Sequence, residues 1–362
     1  MTIPFEVPPT EPLSEGLSAW LHHVRWVSAF VVLIGHVRNF CFVPFSMIEQ
    51  PTWFDRGFYA FTNLQNEAVL CFFVISGYLV GGKLVHYAVQ GNVPAERYVL
   101  DRMTRLYCVL LPAFGLMLFT DAIGACDLKE FNGWFGNFLF GQDLFVETTS
   151  CNTPLWSLTN EFWYYLLGFL ATILWLRRDW IVSTLAMGIV LLLALADQVD
   201  NHHVIFYFPM WAVGILLLWS GRLSHWVPPV AVSGTLFLIV VLISRSHLLD
   251  PLYVLVDFLI AATLCLFLAS IQIRRSSPLM LQAGRWLATF SYSLYLVHWP
   301  ILKLINHQFS GIHNHNPHEL ASFVVFAGMA GICVVCAYLF ALLTERHTSR
   351  VRGILSRAIK LD

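Results

Sequence analysis

The sequence predicts an all-α protein: a polytopic integral membrane bundle of about ten transmembrane helices with both termini in the cytosol. Three observations lead there. Of the 362 residues, 57% are hydrophobic and only 12% charged, whereas a soluble domain carries roughly a quarter charged residues to keep its surface in water. The hydrophobic residues gather into runs that approach the about twenty apolar residues a bilayer crossing requires. The Lys and Arg residues are distributed unevenly about those runs.

The runs lie at 24–46, 64–86, 105–124, 154–176, 180–197, 203–220, 228–246, 252–272, 286–306 and 320–344. The fifth and sixth are short, and either tilt, re-enter or merge with a neighbour. Arg177-Arg178-Asp179, before the fifth, and Gly221-Arg222, after the sixth, are clear breaks in the apolar pattern. Cytosolic segments hold Arg25, Lys83, Arg97, Arg102, Arg105, Arg177, Arg178, Arg222, Arg274, Arg275 and Arg285, and the C-terminal stretch adds Arg346, Arg350, Arg352, Arg357 and Lys360. The other side keeps Arg38, Arg56, Lys129, Arg245 and Lys303. That asymmetry orients the chain by the positive-inside rule. Residues 1–20, with Glu6, Glu11, Glu15 and no Lys or Arg, lack the basic start of a secretory signal and are expected to form a disordered cytosolic tail. A transmembrane domain over 21–345 follows, then a cytosolic tail over 346–362. A net charge of −1 favours neither nucleic acid nor a polybasic surface role.

The longest external connection, 125–153, contains Cys126 and Cys151, which can pair if that side is oxidising. Cys333 and Cys336 form a CxxC inside an apolar run, where buried thiols are the expectation. His307, His313, His315 and His318 crowd the outer ninth loop, but with no cysteine or carboxylate cluster beyond Glu319 a solvated loop is the reading, and no metal is expected.

An ionisable side chain within a span is costly and marks function or tight pairing. Arg25 and His36 lie eleven residues apart, so at about 100° per residue both face one side of the first helix, roughly 16 Å apart along it. A cation at the mouth and an imidazole near mid-membrane suit a charged donor held at the surface with its reactive end reaching inward. The plainer readings are a membrane anchor and a packed histidine. Ser76-Gly77 closes the second span and permits close backbone approach. Arg102 and Arg105, spaced i,i+3, make a fork for phosphate or a second anchor pair. Glu161, placed on the external side of the fourth span, either binds sugar hydroxyls, orients a histidine or pairs with Arg38. Tyr292 and His298 lie on the ninth span, with polar groups at helical spacing.

Arg25 with His36, Phe72 to Gly77, Arg102 with Arg105, Trp156 to Glu161, and Tyr292 to His298 together resemble the acyltransferase 3 family of membrane acyltransferases. The resemblance runs from Arg25 to Pro300. The family often has an Asp three residues before the first Arg and a Gly just after it; His22 and Trp26 stand there in this chain. The resemblance implies an O-acyltransferase of the bacterial inner membrane, with acyl-CoA, usually acetyl-CoA, as donor co-substrate and no tightly bound cofactor. Its acceptor is an extracytoplasmic carbohydrate or lipid-linked glycan. His36 is then general base or transient acyl carrier, with Arg25, Arg102 and Arg105 on the donor phosphates, and Glu161 and Arg38 toward the sugar. Ser76 or Tyr292 would serve the oxyanion. The rival class is a secondary transporter using His36 and Glu161 as a proton relay; a non-catalytic exporter or sensor is a second alternative.

Overall fold

The computed structural model describes residues 14–128, 131–177, 180–196, 204–221, 225–245, 252–271, 277–309, 315 and 317–361. Arg178, Asp179, Arg222, Arg274, Arg275, Lys129 and His313 lie outside the described residues. Helices overlie each predicted run, because a chain solvated by lipid must satisfy its backbone polar groups within each segment. In order they are α1 (Glu15–Cys41), α2 (Trp53–Thr62), α3 (Gln65–Ser76), α4 (Gly82–Gln90), α5 (Ala95–Ala122), α6 (Phe131–Phe138), α7 (Trp156–Arg177) and α8 (Trp180–Ala196). Then come α9 (Val204–Val213), α10 (Val230–Ser244), α11 (Tyr253–Ile271), α12 (Pro278–Ala288), α13 (Ser291–Gln308), α14 (Leu320–Leu343) and α15 (Thr348–Ala358). Among the described residues, five helical stretches are long and apolar enough to cross a membrane: Glu15–Cys41, Trp53–Gln90, Ala95–Ala122, Tyr253–Ile271 and Leu320–Ala358. Three shorter apolar stretches, Trp180–Ala196, Val204–Trp219 and Val230–Ser244, accompany them. Leucines such as Leu191, Leu195 and Leu238 are more than half exposed, as residues facing lipid are.

The N-terminal end differs from expectation. Helix α1 begins at Glu15, capped by the Ser14 hydroxyl accepting from the Leu17 amide at 3.2 Å, and it buries Leu17 and Ala19 completely. The polar look of residues 14–23 therefore conceals a packed helical turn, and the disordered-tail expectation fails there. At the other end, residues 348–358 within the C-terminal tail form α15, folded against α5. The run 286–306 divides into α12, which lies along α1, and α13.

Helix α1 is the hub, packed against α3, α11, α12, α13 and α14. Between α3 and α4 the chain keeps its course through a π-helical turn, Gly77–Gly81, which loosens the local hydrogen-bond ladder. There the backbone meets the Gly214–Trp219 segment after α9 closely enough that a Cβ on Gly77 would sit 1.7 Å from the Trp211 carbonyl oxygen. A Cβ on Gly214 would sit 2.0 Å from that of Val74. Small residues at such crossings let helices pack at backbone distance, the commonest source of helix adhesion in lipid. Cys126 and Cys151 are joined as a disulfide within the connection between α5 and α7.

Gly77→Ala is expected to force this crossing apart, an overpacking cost of about 1–3 kcal/mol or more. Melting followed in detergent should show a clear drop. Gly57→Ala, whose added Cβ meets nothing within 4 Å, should leave melting unchanged.

Candidate active site

A cavity of about 460 Å³ opens where α1, α3, α5, α7, α13 and α15 converge. Helix α1 contributes Arg25, α5 contributes Arg102 and Arg105, and α7 contributes Glu161 and Tyr165. Ser76 comes from the end of α3, and Tyr292 and Tyr295 from the first turns of α13. The structure thus brings together Arg25, Arg102, Arg105, Ser76, Glu161 and Tyr292 in one wall.

The charged groups are fixed unequally. Glu345, between α14 and α15, accepts from Arg105 Nη1 at 3.3 Å through one oxygen. Through the other it accepts from the Ser293 amide and the Ser293 hydroxyl, each at 3.0 Å. A carboxylate on unpaired amides at a helix start is doubly favoured, by hydrogen bonding and by the helix dipole. The Arg105 guanidinium also lies over the Tyr292 ring at 5.0 Å. Arg102 lies over aromatic faces, Tyr165 at 5.6 Å and Tyr98 at 6.0 Å, and its Nε is buried without a hydrogen-bond acceptor among the described residues. Arg25, like Arg102, has no carboxylate within ion-pair reach among the described residues. Glu161 accepts from the Tyr165 hydroxyl. At the mouth, Asp101 pairs with Lys83 at 3.2 Å and with Arg352 of α15 at 3.4 Å.

His36 and His298 stand apart from this wall. Their rings are stacked at 5.1 Å, and His36 Nδ1 lies 2.8 Å from His298 Nε2. His298 Nδ1 faces the Leu294 carbonyl at 3.0 Å. A carbonyl can only accept, so Nδ1 carries the proton, and Nε2 of a neutral His298 must accept from His36 Nδ1–H. The lone pair of His36 Nε2 is then left for chemistry. Tyr295 connects the two regions, because it lines the cavity while its ring lies 6.0 Å from that of His298. Its hydroxyl donates to the Pro154 carbonyl at 2.7 Å and accepts from Ser157 Oγ at 2.5 Å. Ser76 Oγ accepts from the Trp211 indole at 3.2 Å.

Glu161 and Arg38 do not meet. Arg38 lies beyond His36 on α1, donating to Asn63 Oδ1 at 3.0 Å and resting over Tyr59 at 5.0 Å. Glu161 instead shares the cavity of the three arginines, since α7 turns it toward α5 rather than toward the far end of α1. Glu345, Asp101, Tyr165 and Arg352 escaped sequence reasoning. Glu345 carried a signal in hindsight: an acidic residue directly after the apolar run of α14 and directly before Arg346. Arg245, read as an outer charge, pairs with buried Glu67 at 2.5 Å and donates to the Asn63 carbonyl at 2.7 Å. Of the outer histidines, His318 Nε2 contacts Asp55 at 2.8 Å, and no group of three or more His, Cys, Asp or Glu set to hold a metal exists among the described residues.

The structure is an all-helical domain with long apolar helices, enclosing an arginine-lined cavity beside a histidine pair. The acyltransferase 3 family model, described as an acyltransferase domain, matches residues 18–342, and the chain belongs to that family. No curated protein and no solved structure matches it.

Asp101→Asn should release Lys83 and Arg352 together and loosen α15. Half-exposed ion pairs contribute about 0.2–1 kcal/mol each, so amide exchange over 348–358 is expected to quicken a few-fold while α13 stays protected.

Proposed function

We propose that the protein transfers an acyl group, acetyl in the simplest case, from cytosolic acyl-CoA to a hydroxyl of an extracytoplasmic carbohydrate, such as a polysaccharide or lipid-linked glycan of a bacterial inner membrane. The observation that carries this reading is Arg102. A buried N–H with no acceptor costs about 1–3 kcal/mol, and neither Arg102 nor Arg25 has a carboxylate within ion-pair distance among the described residues, although Glu161 and Glu345 share the cavity, so the cavity suits an anion that arrives with the substrate. A diphosphate satisfies two or three guanidiniums at once. The orientation follows the Lys and Arg distribution, with the cavity on the cytosolic side and ten crossings in all. A disulfide in the connection assigned to the outside agrees with an oxidising compartment there.

In the reaction, the acceptor oxygen attacks the thioester carbon, a C–O bond forms and the C–S bond breaks. His36 Nε2 takes the hydroxyl proton and returns it to the departing sulfur, leaving the thiol. In the alternative order, Nε2 attacks the thioester carbon and the C–S bond breaks to release the thiolate; the acceptor oxygen then attacks the acyl-imidazole, the C–N bond breaks, and the hydroxyl proton ends on the thiolate, giving the free thiol. His298 is the positioning residue in both, since it sets which nitrogen of His36 is free. Tyr295, in contact with both regions, must turn aside or guide the thioester as it passes. Glu161 accepts from the Tyr165 hydroxyl, and the Tyr165 ring covers Arg102. Beyond His36, Arg38 with Asn63 and Gln65 offers donors and acceptors to sugar hydroxyls.

Labelled acetyl-CoA supplied to membranes, with variants at matched expression, tests this. His36→Ala should abolish transfer to glycan, a loss of at least about a hundredfold for a general base, while retaining acetyl-CoA binding. Arg102→Gln should weaken that binding about tenfold or more. Equal labelling by His36→Ala removes the histidine from the chemistry. A wild type that does not bind acetyl-CoA overturns the donor assignment and returns His36 and Glu161 to proton-coupled transport.

A further inference from the structure

A second cavity, of about 560 Å³, lies against the other side of the Arg25, Arg105 and Glu345 wall. The charged and aromatic groups in the rest of its lining are His22, Arg285 of α12, Arg346 just after α14, and the rings of Trp286, Phe290 and Tyr338, with small and aliphatic residues between them. Glu345 is the one carboxylate in that lining, and it is already engaged by Arg105 and the start of α13. Arg25, Arg285 and Arg346 therefore converge on one concave site with no carboxylate within ion-pair reach among the described residues. Three guanidiniums around a pocket form a site for an anion with several oxygens, which their planar forks engage pairwise.

The surroundings identify the source of that anion. The stretch Leu320–Ala358 is the least covered of the candidate crossings, with 17% of its apolar window buried against 39% to 78% for the others. Leu343 is 78% exposed and Leu339 53%, and both lie on α14 beside the cavity residues Tyr338, Ala341 and Leu342. Trp286 is 56% exposed, with its ring 6.0 Å from that of Tyr338. Helix α12 is short, presents Leu279, Arg285 and Trp286 outward, and has Gly284 packed tightly on His22 and His23 of α1. A short helix with apolar and basic residues facing out is the signature of an element lying in the headgroup layer. An aromatic ring and arginines at that level, above a bare aliphatic face, match an amphiphile with a phosphate head and hydrocarbon tails.

We infer that the groove between α12 and α14 binds the phosphate headgroup of an anionic membrane phospholipid, held by Arg285 and Arg346 at the rim and Arg25 at the back, with its acyl chains along Leu339 and Leu343. The site is separate from the donor cavity but shares a wall with it. It stands whether or not acyl-CoA is the donor.

The test uses the full chain in nanodiscs of phosphatidylcholine doped with phosphatidylglycerol, and native mass spectrometry to count lipids that stay bound. The wild type should retain one phosphatidylglycerol in clear preference to phosphatidylcholine. An Arg285→Gln/Arg346→Gln double variant should lose that preference about thirtyfold, the effect of two basic residues near a charged headgroup. The variant should keep wild-type melting in pure phosphatidylcholine, which separates loss of the site from loss of the fold. Three results would each overturn the inference. One is a wild type that does not discriminate the two lipids. Another is a double variant that retains phosphatidylglycerol as the wild type does. The third is displacement of the bound lipid by free CoA, which would make the groove an arm of the donor cavity.

Discussion

Glu345 joins groups whose relative positions the rest of the site inherits. One of its oxygens holds the Arg105 guanidinium, and the other holds the amide and hydroxyl of Ser293 at the start of α13. Helix α13 carries Tyr292, Tyr295 and His298 in successive turns, so clamping its first turn sets where all three stand relative to α5. A carboxylate is well suited here because both demands are electrostatic and additive: a cation on one side, the positive end of a helix on the other. The Glu345 carboxylate is itself largely buried, so a bond left unmade there would be costly.

Guanidiniums inside a membrane protein are held by two different means in this chain. Arg105, Arg245 and Arg352 have carboxylates, whereas Arg102 and Arg38 lie over tyrosine rings. The ring face offers partial negative charge without a formal counter-ion. An arginine so held remains able to receive an incoming anion, while one already in an ion pair acts mainly as structure. That division separates Arg102 from Arg105, two residues that the i,i+3 spacing presented as equivalent.

The helical elements were legible because lipid imposes long apolar runs, and each run from 24–46 to 320–344 is overlaid by a helix. Helix ends were not, since α1 extends through Glu15–His23 and α15 through Thr348–Ala358 on tertiary contacts that local apolarity does not reveal. Arg25 stood out by its spacing to His36, and Arg102 and Arg105 by their spacing to each other; that all three line one cavity, with His36 outside it, depends on how the fold places α1 relative to α5. The arginines' carboxylate partners were not legible, because a lone Asp101 or Glu345 at a helix end resembles any solvated acid until the fold supplies its neighbours. The same limit misplaced Glu161. Its depth in the span could be estimated, but the direction it faces depends on how α7 packs. Gly77 was read as permitting close approach, and the contact with Trp211 supplies the reason that no side chain fits there.

The histidine pair has a direction as well as a geometry. Hydrogen bonding orders it from His36 Nδ1 to His298 Nε2, and from His298 Nδ1 to the Leu294 carbonyl. A proton arriving at His36 Nε2 can shift one step along this chain, and there it stops, because a peptide carbonyl holds no proton. The arrangement is a cul-de-sac: whatever enters must leave by the same nitrogen.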